Sequence, residues 1–185
     1  MKNPSAVFLE GRATGASGSV VVPVLEGTRP LLVEIQALVS PTSYGPPRIN
    51  AVGVESARVM MVLNVLEKRT GLKVAGMDVF VNVAGGVRVN EPAADLGIAT
   101  AIVSSFLDRA VPVDLVAFGE LGLTGELRAV SMGVPRLQEA AKLGFERAVT
   151  PKANAAEAKK SEVKTVVSGA DILPAALESV FGPLH

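Results

Sequence analysis

The chain has 185 residues, of which 49% are hydrophobic and 4% aromatic, so its length predicts one domain with an aliphatic core. It has no cysteine, and its single histidine, His185, is the last residue, which excludes a disulfide framework and a thiolate metal site. The 18 basic and 18 acidic residues cancel, which excludes a strongly basic nucleic-acid binder. A site for a polyanion must therefore be a local patch, or a patch repeated by symmetry.

The apolar runs of the sequence are short. Each falls well below the roughly 20 residues that a membrane span needs, and the first residues do not read as a signal peptide. We therefore expect a soluble cytoplasmic domain with no bound metal and no contact with a membrane.

The beginning of the chain predicts a lead-in followed by an antiparallel hairpin. Residues 1–17 have no core of their own, which suggests a lead-in from an upstream domain. The next segments alternate apolar residues with a period of two, as strands do, and Pro23 favours an edge strand or a bulge. The predicted elements are a helix over 6–10 capped by Asn3-Pro4-Ser5, strands over 18–25, 31–40 and 49–54, a turn over 26–30 and a loop over 41–47.

Residues 55–70 predict an amphipathic helix. Apolar residues recur at helical spacing from Val59 to Leu66, and Gly71 provides a C-terminal stop. Arg58 lies near the start of this helix, where the helix dipole disfavours a cation. We therefore expect Arg58 to have a partner, either an internal carboxylate or an external anion.

Residues 79–108 form the stretch around which the rest is expected to pack. The pattern predicts a strand over 79–83, a turn at Gly85-Gly86, a short second strand and a helix. The helix starts at Pro92 and is apolar nearly all round as far as about residue 107, which is typical of a helix in the middle of a fold.

The start of that helix would suit the nucleophile of a hydrolase. Backbone N–H groups converge there and can hold an oxyanion, so a hydroxyl or thiol in the first turn would be activated. The residues at these positions are Ala93 and Ala94. The sequence therefore has the frame of a hydrolase site without its nucleophile.

Strands and helices alternate in the second half, which together with the hairpin predicts a mixed α/β fold. The chain has no Walker A pattern, so we expect it to hydrolyse no ATP, and the glycines at 85–86 and 122–125 are read as turn residues. The predicted elements are strands over 115–121, 126–130, 145–150 and 163–167, and helices over 134–143, 151–160 and 170–181.

Five segments of the sequence resemble the C-terminal domain of the RadA (Sms) family of bacterial DNA repair proteins. They are, in order, EGTRPLLVEIQALVSPTSYGPPR, LEKRTGL, NVAGGVRVNEPAADLGIA, GELGLTGELRAV and RLQEAAKLGF, and the resemblance covers essentially the whole chain. It implies that residues 18–185 form an α/β (α+β) mixed-sheet domain like the proteolytic domain of Lon protease and the second domain of ribosomal protein S5. It also implies that the zinc motif and the RecA-like ATPase core of the family lie upstream, so ATP and zinc would bind there.

The resemblance to Lon also identifies where catalytic groups would lie. Lon is a Ser-Lys peptidase with its serine in a Gly-Pro-Ser-Ala-Gly motif, and residues 91–95 match that motif with Ala93 in the place of the serine. The lysine would fall at about Val134, within one or two positions. No lysine lies between Lys73 and Lys142, and arginine stays protonated and cannot act as a base. We therefore expect no peptidase activity.

Ser131 and Lys142 form an alternative dyad. It requires the turn and the helix between the two residues to bring them into contact. A residual Ser-Lys peptidase thus remains an alternative at this point.

The resemblance further implies a six-membered ring, in which one exposed arginine per chain becomes six charges facing DNA. The full protein would be an ATP-driven, helicase-like motor that acts in branch migration alongside RecA. A purely structural ring module without DNA contact is the other alternative. On that alternative, each arginine is a solvated or ion-paired surface residue. The candidate DNA contacts are the arginines in loops or at element ends, which are Arg29, Arg48, Arg58, Arg88 and Arg128.

Overall fold

A computed structural model describes residues 3–185 and places helices on both faces of a seven-stranded mixed sheet. The mixed α/β class predicted from the sequence is confirmed. The strands are β1 (Ser19–Glu26), β2 (Arg29–Pro41), β3 (Ile49–Val52), β4 (Met77–Val83), β5 (Leu115–Ala117), β6 (Glu120–Leu121), β7 (Leu127–Arg128), β8 (Arg147–Pro151) and β9 (Val166–Ala170). The helices are α1 (Pro4–Phe8), α2 (Ser56–Thr70), α3 (Asp95–Leu107), α4 (Gly133–Lys142), α5 (Lys152–Lys160) and α6 (Leu173–Phe181).

The large sheet has the strand order β3-β4-β2-β1-β5-β8-β9, and β6 pairs with β7 in a separate small sheet. Strand β2 is antiparallel to both of its neighbours, and every other neighbouring pair in the large sheet is parallel. All strands of the large sheet except β2 therefore run in one direction. Their carboxyl ends lie along a single edge of the sheet.

The predicted hairpin of β1 and β2 is confirmed, with Glu26 opposite Arg29 across a two-residue turn. The edge position predicted for Pro23 is wrong, because β1 lies between β2 and β5. Its pairing with β5 is limited to Val21 and Val116. Because Pro23 lies beyond that pair, its missing N–H interrupts no ladder with β5.

The described part of the predicted lead-in, residues 3–17, packs on the sheet; Met1 and Lys2 lie outside the described residues. The predicted cap is confirmed, since the Asn3 side chain accepts a hydrogen bond from the Ser5 N–H, although α1 ends at Phe8. Ser5 is fully buried; its hydroxyl accepts from the Leu32 N–H at 2.9 Å and donates to Glu139 at 3.1 Å. These contacts fasten the segment to β2 and α4.

The predicted amphipathic helix is confirmed as α2, one residue shorter at its start. Val59, Val62 and Leu66 are fully buried against the core. Gly71 ends the helix with φ of 79°, a left-handed conformation that glycine adopts readily, and its N–H donates to the Glu67 carbonyl.

The central stretch follows the prediction except after β4, where the predicted second strand is wrong. A 3-10 turn, Ala84–Gly86, follows β4, and residues 87–91 then belong to no strand. The physical reason is that β4 already pairs with β2 on one side and β3 on the other, so the chain cannot fold back beside it.

Helix α3 is the buried central helix that the sequence predicted. It is preceded by a 3-10 turn, Pro92–Ala94, and its first ten residues are all buried. A Cβ atom built on Gly97 would lie 2.3 Å from a methyl group of Val22, so the absent side chain lets the helix approach β1 closely.

Several elements of the second half differ from their predicted bounds. Helix α6 begins at Leu173, three residues later than predicted, β7 is limited to Leu127–Arg128, and β8 begins at Arg147. The strand predicted over 115–121 is divided into β5 and β6, because Gly119 turns to exchange hydrogen bonds with Ala93 and Leu96 at the start of α3. Strand β9 begins three residues later than predicted, because the Val163 N–H donates a hydrogen bond to the Ala158 carbonyl near the end of α5. Among the described residues, no helix has the length and apolar character that crossing a bilayer requires.

Candidate functional site

The carboxyl edge of the large sheet gathers most of the residues that the sequence singled out. The β1–β2 turn, the loop after β4, the start of α3, the β6–β7 hairpin and the start of α5 all follow strands that end at this edge. Ligands of open α/β sheets bind preferentially outside the carboxyl ends of strands. The carboxyl edge is therefore the expected location of a ligand site.

Ala93, which occupies the position of the Lon serine in the matching motif, is almost inaccessible to solvent. It is 3% exposed, and its carbonyl accepts a hydrogen bond of 2.8 Å from the Gly119 N–H. Val134, the approximate lysine position, is half-buried in the first turn of α4. Neither side chain has a group that could attack a carbonyl or accept a proton.

An ion pair between Arg136 and Glu91 occupies the same region. Two nitrogens of the guanidinium bond the two carboxylate oxygens at 2.6 and 3.0 Å, and the Arg136 side chain is 1% exposed. Arg136 also donates to the carbonyls of Pro23 at 2.9 Å and Ser131 at 3.0 Å, and Glu91 accepts from the Leu25 N–H at 2.9 Å. This network ties α4, β1 and the approach to α3 together.

The Arg136–Glu91 pair was not predicted from the sequence. A signal was present, because Gly133, Arg136, Leu137 and Ala140 recur at helical spacing and are the buried residues of α4. A cation at a core position of an amphipathic helix requires a buried anion.

Arg58 has the internal carboxylate that its place at a helix start required. Its Nε and one Nη donate to the two oxygens of Asp95 at 2.7 and 2.8 Å, and Asp95 also accepts from the Leu121 N–H at 3.0 Å. Asp95 is fully buried, whereas the Arg58 side chain keeps 33% of its surface exposed. Burial raises the pKa of the Asp95 carboxyl, against the lowering effect of the hydrogen bonds from Arg58 and Leu121. A DNA contact by Arg58 stays a prediction, with two of its nitrogens already engaged.

The alternative dyad of Ser131 and Lys142 is not brought together. Ser131 lies two residues before α4, and Lys142 is the last residue of that helix. The rise of a helix separates the two by about 15 Å. The Lys142 ammonium instead lies 3.8 Å from Glu139.

Three of the five predicted arginines are exposed at the carboxyl edge. Arg29 follows the β1–β2 turn and Arg88 follows the Gly85-Gly86 turn; within residues 3–185, neither has a carboxylate oxygen within 4.0 Å. Arg128 ends β7, is 64% exposed and lies 3.1 Å from Glu126.

Arg48 lies at the opposite edge of the sheet. It directly precedes β3, which runs parallel to β4, and its guanidinium is 3.8 Å from Asp78 near the start of β4. The side chain is 68% exposed. A single straight polyanion along the carboxyl edge would therefore not reach Arg48.

Lys152 is a further cation at the carboxyl edge that the sequence analysis missed. It directly follows β8, is 73% exposed and lies 3.6 Å from Asp171. Pro151 is the last residue of β8, and a proline that ends a strand is the local signal that Lys152 lies beyond the sheet. We call the set of Arg88, Arg29, Arg128 and Lys152 the cation row.

The cation row follows the order of the strands. Arg88, Arg29 and Lys152 lie beyond β4, β2 and β8, and four strand spacings of about 4.8 Å separate β4 from β8 by about 19 Å. Arg128 lies at the Lys152 end of the row, because the Leu127 N–H donates to the carbonyl of Asp171, the carboxylate neighbour of Lys152. Among residues 3–185, no group of three or more acidic or histidine side chains could hold a metal ion.

Comparison with known proteins shows the family to which the chain belongs. Residues 42–154, more than half of the chain, match the family model described as subunit ChlI of Mg-chelatase. The chain belongs to this family.

Individual relatives are more specific. The chain is 55% identical to the DNA repair protein RadA of Halalkalibacterium halodurans over 152 residues, which are 82% of this chain and 33% of that protein. It is 54% identical to RadA of Escherichia coli K12 over 154 residues, 83% of this chain and 34% of the relative. It is 51% identical to RadA of Salmonella typhimurium LT2 over 184 residues, 100% of this chain and 39% of the relative.

The chain is therefore a homologue of RadA, and the resemblance carried by the five sequence segments is confirmed. It spans between a third and two fifths of the length of these relatives.

Proposed function

We propose that this chain is the catalytically silent, Lon-like domain of a RadA-type DNA repair protein, and that it forms a six-membered ring and contacts DNA. The observation that carries the DNA contact is the cation row at the carboxyl edge. The chain as a whole has no net charge, so a row of four cations about 19 Å long is the kind of local patch that a polyanion requires.

Ring formation would strengthen that contact. Phosphate contacts add in affinity, so the same short row repeated in six copies could bind DNA that one copy holds only weakly. On this proposal the members with the most freedom to meet phosphates are Arg29 and Arg88, which have no carboxylate within 4.0 Å among the described residues. Arg128 and Lys152 would exchange an exposed acidic neighbour for a phosphate.

Two surfaces with exposed apolar side chains support assembly of the chain with copies of itself. On one side of the sheet, Leu38 and Phe80 are paired neighbours on β2 and β4, with 60% and 42% of their surfaces exposed. On the other, Met60 of α2 and Leu123 of the β6–β7 hairpin are 53% and 74% exposed and line one groove. Two different apolar surfaces on one chain suit head-to-tail contacts, which close into rings.

The proposed lack of peptidase activity rests on the burial of Ala93 and on the Arg136–Glu91 ion pair nearby. We expect the purified chain to leave casein intact. We expect Ala93→Ser to do the same, because a serine there would have neither access to substrate nor a base. Cleavage of casein by either protein would contradict this part of the proposal.

The rest of the proposal concerns the full-length protein. By homology it would be cytoplasmic and would act in recombinational repair and branch migration with RecA, using ATP and zinc bound upstream of this chain. In that arrangement the present chain would supply ring assembly and DNA contacts to the motor.

Sedimentation velocity with a labelled oligonucleotide tests both parts of the proposal together. We expect the chain to sediment at about six times its monomer mass and to carry the label at about 50 mM salt but much less of it at about 200 mM. Changing Arg29 and Arg88 together to alanine should lower the slope of log affinity against log salt by about 0.7 to 0.9 for each phosphate that is no longer neutralised. The ring itself should survive.

Arg147→Ala is the matched control, because Arg147 begins β8 at the opposite edge and is 51% exposed. It should bind the oligonucleotide like the unchanged chain. A ring that carries no label at either salt concentration would favour the purely structural alternative. A monomer that ignores the oligonucleotide would overturn the proposal altogether.

A further inference from the structure

One half of the large sheet has a helix layer on only one of its faces. On the side of α3, Val79 and Val81 of β4 are buried in the core, whereas Phe80, which points to the other side, is 42% exposed. Strands β3 and β4 are parallel, and parallel strands are usually covered by helices on both faces of their sheet. The second face of this half is therefore where the fold lacks a layer.

This second face is apolar at its centre and has no charged side chain there. The strand register places six exposed side chains in two rows across β2, β4 and β3, and none of the six is charged. The rows are Leu38, Phe80 and Asn50, followed by Gln36, Asn82 and Val52. We call these six residues the open sheet face. Because charged residues are depleted at the centre of protein interfaces, the open sheet face suits contact with another protein surface.

Helix α2 has an outer side that matches the open sheet face. Its inner residues pack on the core of its own chain, while Met60 and Met61 line a groove with Leu123 of the β6–β7 hairpin. Lys68 is the one charged residue among the described residues that line this groove. A helix that is apolar on both sides is normally buried between two layers. Three strands about 4.8 Å apart are about 14 Å wide, which accommodates one helix about 10 Å in diameter.

We propose that α2 of one copy of the chain packs on the open sheet face of the next copy, with Phe80 inserted into the groove between Met60 and Leu123. The contact joins two different surfaces, so it is head-to-tail and closes into a ring if the rotation between copies allows it. The inference rests on the proposed ring and identifies which two surfaces form its contacts. The side chains suit each other, because flexible methionines adapt to an aromatic ring and gain from contact between sulfur and ring.

Charged substitutions test this contact without disturbing the fold, since Met60 and Phe80 are both exposed within the chain. In sedimentation velocity, Met60→Glu and Phe80→Glu should each be monomeric, because an unpaired charge would be buried at every contact. An equimolar mixture should contain dimers with one copy of each, because the helix of one variant and the sheet face of the other are intact. Val166→Glu is the matched control, since Val166 is an exposed apolar residue of β9 outside both surfaces. It should assemble like the unchanged chain.

Cysteine cross-linking gives an independent readout, because the chain has no native cysteine. Met60→Cys and Phe80→Cys, treated with a short bismaleimide, should form covalent dimers when mixed but not when treated separately. Phe80→Cys that cross-links to itself would show two sheet faces packed on each other and would overturn the inference.

The inference and the proposed ring fail on different results. A ring that persists in Met60→Glu or in Phe80→Glu would overturn the inference and leave the ring standing. Two monomeric variants whose mixture forms no dimer, together with cysteine variants that do not cross-link when mixed, would overturn it as well. An unchanged chain that is monomeric at every concentration would overturn both.

Discussion

Replacing Arg136 by alanine is expected to lower the free energy of unfolding by about 3 to 5 kcal/mol, the usual cost of removing one partner of a buried ion pair. Among residues 3–185, the change would leave the Leu25 N–H as the one donor to the Glu91 carboxylate, which is 24% exposed, and would deprive the carbonyls of Pro23 and Ser131 of the Arg136 donor. It would also leave a cavity beside Phe118, whose ring lies 5.9 Å from the centre of the guanidinium. Urea denaturation followed by circular dichroism measures the decrease.

Two further variants separate the charge from the packing. The double change Glu91→Gln with Arg136→Met removes both charges and restores much of the side-chain volume, so it should destabilise the protein less than Arg136→Ala does. Arg147→Ala, which breaks a surface pair with Asp114, should destabilise the protein far less than Arg136→Ala does. A decrease below about 1 kcal/mol for Arg136→Ala would show that the network is not holding α4 to the sheet.

The elements that could be predicted from the sequence are those whose pattern is local. The hairpin of β1 and β2, helix α2 with its Gly71 stop and the buried helix α3 follow from period-two and helical spacing and from turn residues. The second strand after β4 was predicted wrongly because the glycine turn is a local signal, whereas the pairing of β4 on both sides is a property of the whole sheet. The interior position of Pro23 depended on the same non-local information.

The candidate site divides in the same way. The absence of a nucleophile at Ala93 could be read from the sequence, and so could the need of Arg58 for an anion. That the anion is Asp95 could not, since 37 residues separate the two and only the packing of α2 on α3 joins them. The separation of Arg48 from the other arginines, and the addition of Lys152 to the row, both depend on strand order, which spacing along the chain does not determine.

Changing Arg58 to methionine is expected to cost about 3 kcal/mol at pH 7, and this cost should shrink as the pH falls toward 5. The cost comes from leaving the fully buried Asp95 carboxylate without its partner, and it is limited because a buried carboxyl can take up a proton instead. Burial already raises the pKa of Asp95, and the hydrogen bonds from Arg58 oppose that rise. Without Arg58, the pKa of the buried carboxyl should rise further.

The direction of the pH dependence follows from linkage. A carboxyl whose folded-state pKa exceeds the unfolded value of about 3.9 binds its proton more tightly in the folded protein. Stability is therefore gained as the pH falls through the folded pKa, and the gain is complete near the unfolded value. The unfolding free energy of Arg58→Met should accordingly approach that of the unchanged protein between pH 7 and pH 5, because protonation removes the unpaired charge.

Arg147→Met provides the matched control, because the pKa of its carboxylate partner, Asp114, is shifted in the opposite direction to that of Asp95. The hydrogen bond from Arg147 lowers the pKa of the half-buried Asp114. That pair therefore stabilises the protein above the unfolded pKa, and its contribution is lost only at more acidic pH. The unfolding free energy of Arg147→Met should thus stay below that of the unchanged protein by the same small amount at pH 7 and pH 5. The corresponding deficit of Arg58→Met should shrink over the same range. A deficit of Arg58→Met that is the same at both pH values would contradict this prediction, because the protonation state of Asp95 would then not change between pH 7 and pH 5. If that constant deficit is large, Asp95 stays ionised, and water entering beside α3 must solvate a carboxylate that is fully buried in the unchanged protein.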